Sequence, residues 1–282
     1  MVTSTYDKAG ERIQLTWPDG FFVNYDYDAA GRVTRIRENG ATTGTGVLAS
    51  YAYGPLDERA SLTRGNGTQA TYGYDPLGRL TGLTQGGFAP AGSSVQTLSY
   101  NPAGQLGSLS QAAAPYVWTG QPAAATQETV HDGLNRDQRI TTLTGGFDAN
   151  GNLTFDGTRT LKYDVQNRLT QVLNAGTETD LVYDAVDRVW QTVTGPQSNG
   201  TITRLLYDGD RLIEEWDANS GNILRRYVHG VGVDEPLVWY EGATASDATR
   251  RYLHADHQGS IIGWSEVCWY RCWYPEGEPG NS

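Results

Sequence analysis

The 282-residue sequence has a single methionine, two cysteines and 19% charged residues. Both cysteines, Cys268 and Cys272, lie in the last fifteen residues, so disulfides cannot hold the body of the fold together. No apolar run reaches the ~18 residues of a membrane-spanning helix, and the N-terminus lacks the basic-then-apolar pattern of a signal peptide. Lys and Arg number 21 against 32 Asp and Glu, giving a formal net charge of −11, and they are scattered singly. Without a basic stripe to neutralise phosphates, nucleic acid is not expected as a direct partner. What is plentiful points elsewhere. With 35 Gly, 17 Tyr and 8 Trp, the composition is that of a turn-rich, mostly β protein with half-buried aromatic strands.

One short phrase recurs along the chain. It reads Tyr27-Asp28-Ala29-Ala30-Gly31-Arg32-Val33, then Tyr74-Asp75-Pro76-Leu77-Gly78-Arg79-Leu80, Tyr163-Asp164-Val165-Gln166-Asn167-Arg168-Leu169 and Tyr183-Asp184-Ala185-Val186-Asp187-Arg188-Val189. Further copies start at Tyr6, Tyr100, His131 and Phe147, with degenerate ones at Tyr53 and Tyr207. The phrase reads as strand, turn, strand. Asp or Asn opens a type I turn by bonding its side chain to backbone N–H groups ahead, and the fourth position calls for Gly. Where Gly is missing, Asn135, Asn167 and Asp187 stand in its place, the residue types that best tolerate positive φ.

Each unit is therefore expected to be a hairpin, with Asp208-Gly209 forming a two-residue loop in the shortened copy. Apolar pairs after the turn, such as Val33/Ile36, Leu80/Leu83, Ile140/Leu143 and Leu169/Val172, lie three apart, which strict alternation does not explain. A bulge, or strands covered on both faces, accommodates them. A lone hairpin is barely stable, so neighbouring units must pair into a continuous sheet. The Gly-, Ala- and Gln-rich stretches 85–94 and 111–126 read as loops.

Repeated Tyr-Asp-x-x-Gly-Arg-Leu units resemble the YD-repeat or RHS family, found in bacterial polymorphic toxins, insecticidal toxin complexes and the cell-surface teneurins. The resemblance covers roughly residues 6–263. The stretch 148–169, and above all Arg251 to Ser260 with Tyr252, His254, Asp256, Gly259 and Ser260, is similar to the C-terminal core of the bacterial members. It implies an all-β fold of tandem hairpins in one spiralling sheet, part of a hollow shell that holds a variable C-terminal toxin until delivery. The family's downstream Asp-Pro-x-Gly motif of aspartyl self-cleavage is missing, and after Ile262 the text departs from the pattern, gathering Trp264, Trp269, Trp273 and both cysteines. The expected organisation is a repeat array over 1–263, regular to about residue 110 and core-associated from 127, with a divergent or truncated tail over 264–282.

Candidate chemical sites compete poorly with structural readings. His254, His257, Cys268 and Cys272 have zinc-ligand types but loose spacing, so no metal is expected. The aspartates have turn duties, and Asp256, His257 and Ser260 are too close in sequence for a converging triad. Trp118, Trp216, Trp239 and Tyr240 offer faces for sugar rings, although core aromatics are commoner. The reading that results is a non-catalytic shell segment without cofactors, from a secreted or surface-delivered protein. Its expected partner is a C-terminal toxin cargo absent from this chain, with a secretion-system or surface component and carbohydrate as further candidates. Two other readings are a glycan- or protein-binding adhesion module and a hydrolase on a β-propeller. The propeller draws on the 47-residue steps Tyr6 to Tyr53 to Tyr100, and the later steps of 16 and 20 count against it.

Overall fold

The computed structural model describes residues 1–88, 92–112, 130–141, 143–195 and 200–267. Its strands form two ten-stranded antiparallel sheets in which strand order follows the sequence. The first holds β1 (Thr3–Tyr6), β2 (Arg12–Thr16), β3 (Phe22–Tyr27), β4 (Val33–Glu38), β5 (Val47–Tyr53), β6 (Arg59–Arg64), β7 (Gln69–Tyr74), β8 (Leu80–Phe88), β9 (Gly92–Tyr100) and β10 (Leu106–Ala112). The second holds β11 (Arg159–Tyr163), β12 (Leu169–Asn174), β13 (Thr177–Tyr183), β14 (Val189–Thr194), β15 (Thr201–Asp208), β16 (Arg211–Asp217), β17 (Ile223–His229), β18 (Pro236–Glu241), β19 (Arg250–Ala255) and β20 (Ile261–Glu266). Among the described residues, helix is limited to a 3-10 turn at Gly44–Gly46 and one α-turn at Gln138–Thr141. The all-β architecture expected from the repeat is the one found.

Within the strands, the three-residue spacing of apolar positions has a single cause. Tyr27 pairs with Val33 while Asp26 pairs with Arg35, so Thr34 is an extra residue and the alternation changes phase there. The same step recurs at Tyr53, Tyr74, Tyr163, Tyr183 and Tyr207. Beyond it, Ile36 and Leu83 return to the buried face.

Three local expectations need correction. The stretch 85–94 is largely strand, because β8 and β9 extend through it and Gln85 is buried, its amide donating to the Ala255 carbonyl. Only 89–91 fall outside the described residues, as do 113–126 of the second expected loop. After the His131 turn the described residues form no strand before β11. Asp137 O accepts from the N–H of Ile140 (3.0 Å) and Thr141 (3.1 Å), which winds Ile140 into the short helix. In the shortened copy, Asp208 pairs with Arg211, so the two-residue loop is Gly209-Asp210, one step later than the pattern implies.

The chain divides into two compact units, residues 1–119 with 225–282 and residues 120–224. In the first unit β18 lies against β5, and Trp17, Val23, Ile36, Leu48, Leu62, Val228 and Val238 are each at most 2% exposed. In the second, Val193 (8%) and Ile213 (2%) are the buried apolar side chains among the described residues. Each fully buried aliphatic contributes roughly 1.5–3 kcal/mol, so the units differ in the burial that holds them. Hydrogen exchange is therefore expected to be faster in β12 to β15 than in β3 to β6 by mass spectrometry, and equal protection would contradict this account.

Candidate functional site

The repeat phrase folds into a clasp. In the turn between β7 and β8, Asp75 N–H donates to Arg79 O and Gly78 N–H to Asp75 O, both at 2.9 Å. Asp75 Oδ1 then accepts from the backbone N–H of Leu77 and Arg79, each at 3.0 Å. Its Oδ2 takes Arg79 Nε and Nη2, both at 2.7 Å. Asp28/Arg32, Asp132/Arg136, Asp164/Arg168 and Asp184/Arg188 repeat this set of bonds. The fourth turn residue is left-handed, with φ +77° at Gly31, +75° at Gly78, +63° at Asn167 and +66° at Asp187. A forked guanidinium on a carboxylate is among the stronger protein hydrogen bonds. The carboxyls of Asp75, Asp132, Asp164 and Asp184 are held below the usual range, first by the arginine's backbone N–H and then by its side chain. For Asp28 the Arg32 side chain leads.

The clasp also reaches the next repeat. Each arginine lies over the following repeat's aromatic ring, with Arg32 4.7 Å from the Tyr53 centroid, Arg79 4.8 Å from Tyr100, Arg168 4.6 Å from Tyr183 and Arg188 4.7 Å from Tyr207. The tyrosine hydroxyl donates back to the carbonyl just after the previous turn. Tyr27 reaches Arg12 O (3.0 Å), Tyr74 reaches Arg59 O (3.2 Å) and Tyr183 reaches Leu169 O (2.8 Å), and Tyr53, Tyr100 and Tyr207 do the same. Tyr163 ends β11 opposite Leu169. Where the left-handed residue is acidic or an amide it is used too. Arg168 Nη1 donates to Asp187 Oδ1 (2.5 Å), Arg32 Nη1 to Asp57 Oδ1 (2.7 Å) and Asn152 Nδ2 to Asn167 Oδ1 (2.9 Å).

The residues singled out at 252–260 split into two roles. Asp256, Gly259 and Ser260 form another clasp turn: Asp256 Oδ1 accepts from the N–H of Gln258 (2.8 Å) and Ser260 (2.9 Å), with serine in the arginine's place. Tyr252 and His254, each 0% exposed, instead tie β19 to the first sheet within the first unit. Tyr252 OH donates to Thr45 O at 2.7 Å. His254 Nε2 meets Ser265 Oγ at 2.8 Å and Nδ1 meets Gln85 Oε1 at 3.3 Å. Burial, then the nearby charge of Arg64, pushes the His254 pKa well down, so the ring is neutral.

Ion pairs bridge the same strands. Glu38 accepts from Arg250 and from the Tyr240 hydroxyl, Arg226 donates to Asp19, and Arg59 grips Glu235 through Nη1 (2.5 Å) and Nη2 (3.0 Å). Sequence reading missed these residues, although a signal existed: Arg226 falls two positions from buried Val228 and Arg250 two from buried Tyr252, both in phase with the core.

The remaining candidates are placed as follows. Both imidazole nitrogens of His254 face protein partners, and Cys268 and Cys272 lie outside the described residues, as does Trp118. Tyr240 is fully buried, Trp239 packs on Trp264 with centroids 6.4 Å apart, and Arg204 lies 5.9 Å from the Trp216 ring. A cavity of about 290 Å³ in the first unit is walled by residues of β6 to β8, among them Arg64 and Leu83, and by Leu237, Leu253 and His257 opposite.

Two measurements check this account. The clasp carboxyls titrate lower folded than unfolded, so the stability they add is complete above about pH 4 and is lost as pH falls through their lowered folded values. His254 works in a higher window: below its ordinary pKa of 6.5 the unfolded chain takes up the proton first, costing up to about 1.4 kcal/mol per pH unit. Urea midpoints are expected to fall in these two stages, and His254→Gln should abolish the upper one alone. Tyr74→Phe removes one cross-repeat hydrogen bond and is expected to cost about 1 kcal/mol in the same titration at pH 7. An unchanged midpoint would mean the hydroxyl is equally well served by water.

No protein-family model matches the chain. Among curated proteins it is similar to the tRNA nuclease WapA of Bacillus subtilis (strain 168), 30% identical over 132 residues, which cover 41% of this chain and 5% of that protein. It is also similar to the tRNA3(Ser)-specific nuclease WapA of Bacillus spizizenii, 26% identical over 167 residues (54% and 7%), and to the tRNA(Glu)-specific nuclease WapA of Bacillus subtilis subsp. natto, 32% over 103 residues (34% and 4%). The chain spans less than a tenth of these relatives' length. Among solved structures, TcdB2-TccC3 superposes with a TM-score of 0.68 at 16% identity, covering 94% of this chain and 18% of that one. TcdB2-TccC3 without its hypervariable C-terminal region gives 0.68, and TcdB2-TccC3-Cdc42 gives 0.66, each at 16% identity with 94% of this chain and 17% of that chain covered. The chain therefore has the fold of a stretch of TcdB2-TccC3.

Proposed function

We propose that this chain is a wall segment of an RHS-type polymorphic toxin, a non-catalytic piece of a hollow shell that encloses a C-terminal effector lying outside the chain. The observation that carries the reading is the use made of the polar repeat residues. Asp, Arg and Tyr of successive repeats spend their hydrogen bonds on their own turn and on the neighbouring repeat, as building elements do. The shared fold with TcdB2-TccC3, a protein described with a hypervariable C-terminal region, supports a constant scaffold beside variable cargo. The similarity to WapA nucleases supports a toxin context. Because the matched stretch is at most 7% of those proteins, we assign their nuclease activity to other parts of such a chain. A toxin of this kind acts outside the cell that makes it, so the full-length protein would be secreted or surface-delivered, with its cargo as the principal partner.

Limited proteolysis of the full-length protein containing this chain tests the proposal. The C-terminal effector is expected to survive at protease levels that digest it when produced alone, and to become cleavable when Asp164 and Asp184 are both changed to alanine. Equal digestion of the enclosed and free effector would sink the shell reading, and saturable glycan binding by the chain would turn attention to adhesion.

A further inference from the structure

Among the described residues of the first unit, Arg64, Arg226 and Arg250 are almost wholly enclosed, and two of them have acids to meet. Arg226 reaches Asp19, and Arg250 reaches Glu38 and Asp247. Arg64 does not. It is 4% exposed, and its Nε and Nη1 are buried without a hydrogen-bond partner. The acid whose charge reaches it, Glu235, is already engaged, binding both Nη atoms of Arg59 and accepting from the Gly232 N–H at 2.8 Å. Burying a cation with open donors is unfavourable unless something else satisfies them. Burial indeed lowers the Arg64 pKa, to about 10.

The open guanidinium belongs to the wall of the 290 Å³ cavity, and so does His257, whose Nδ1 is likewise buried without a partner. Most of the surrounding wall is apolar, with Leu62, Leu83, Leu237 and Leu253. Three acids sit at its margin: Glu235 is held by Arg59, Asp256 is held by its own turn, and Asp234 is turned to solvent at the surface. Among the described residues of the wall, Arg64 is the cation without an acid partner, set amid leucines with carboxylates close by, which matches a singly charged anion that brings an apolar body. A phosphate dianion would need more cations than the cavity offers and would meet these acids at close range.

We propose that this cavity is a binding site for a monocarboxylate on an apolar body, anchored by the Arg64 guanidinium with His257 as a second polar contact. The carboxylate can be that of a free small acid or the C-terminal carboxylate of an apolar peptide. This site is independent of the shell reading, because it rests on the walls of one unit alone.

Calorimetry and thermal unfolding on the full 282-residue chain distinguish the outcomes, with hexanoate and acetyl-leucyl-leucine as probes and hexanamide and the dipeptide amide as neutral controls. Saturable binding of either acid, with the matching amide at least about tenfold weaker, is expected. Hexanoate alone binding identifies a free acid, and the dipeptide alone identifies a peptide terminus. Arg64→Met should unfold at a higher temperature than the parent without ligand, since an unpaired cation is removed, and should lose the response to the acids. The Arg64 Nε–H resonance of the parent chain should shift on adding the acid, which tests the contact even if the variant fails to fold. Equal binding of acid and amide, inorganic phosphate binding as tightly as hexanoate, binding that survives Arg64→Met, or an unmoved Arg64 resonance would each overturn the proposal.

Discussion

The regularity of this chain depends on one side-chain oxygen at the start of most turns, a carboxylate in the Asp copies and the Asn101 amide in another. In the Asp/Arg copies the first carboxylate oxygen captures two backbone N–H groups that a tight turn would otherwise leave open, and the second grips the arginine that ends the turn. This bond set fixes the φ values of four residues at once, so the strand before the turn and the strand after it leave with a defined register. The bulge beside the tyrosine follows from that exit, and it decides which side chains face inward for the rest of the strand.

Holding the arginine in place gives it a second task. A free arginine would lose rotamer entropy to stack on the next ring, but here the turn has already ordered it. The guanidinium therefore arrives over Tyr100, Tyr183 or Tyr207 with less left to lose, while the tyrosine hydroxyl closes the loop by donating back across the bulge. Local turn chemistry is thereby converted into contact between neighbouring repeats. In the second unit, where few apolar side chains are buried, these polar links carry a larger share of the cohesion.

That hierarchy explains what could be read in the sequence. The clasp is contained within five consecutive residues, so Asp75 to Arg79 announce it outright, and Asn167 and Asp187 disclose the left-handed position by replacing glycine. Their further use as acceptors for the preceding repeat was not legible, because it depends on how adjacent hairpins are offset. Gln85 looked like a loop residue beside two glycines, yet it is buried against β19, some 170 positions away. Likewise His254 and Tyr252 looked like parts of one motif with Asp256, and the strand separates them into inward-facing ties and an outward turn. Period two reveals which face a residue takes, but not what waits across from it.

Across the first unit, the partners of β17 to β20 are set by charge as much as by oil. Apolar faces of two sheets tolerate sliding, because one leucine contact is much like the next. A guanidinium that must meet its carboxylate tolerates none, since an enclosed cation that loses its partner is left uncompensated. Arg226 to Asp19, Arg250 to Glu38 and Arg59 to Glu235 join residues up to 212 positions apart, and their spacing along the sheet permits one alignment. Repeats so alike in sequence offer many near-equivalent pairings, and these three ion pairs distinguish the native one from its neighbours.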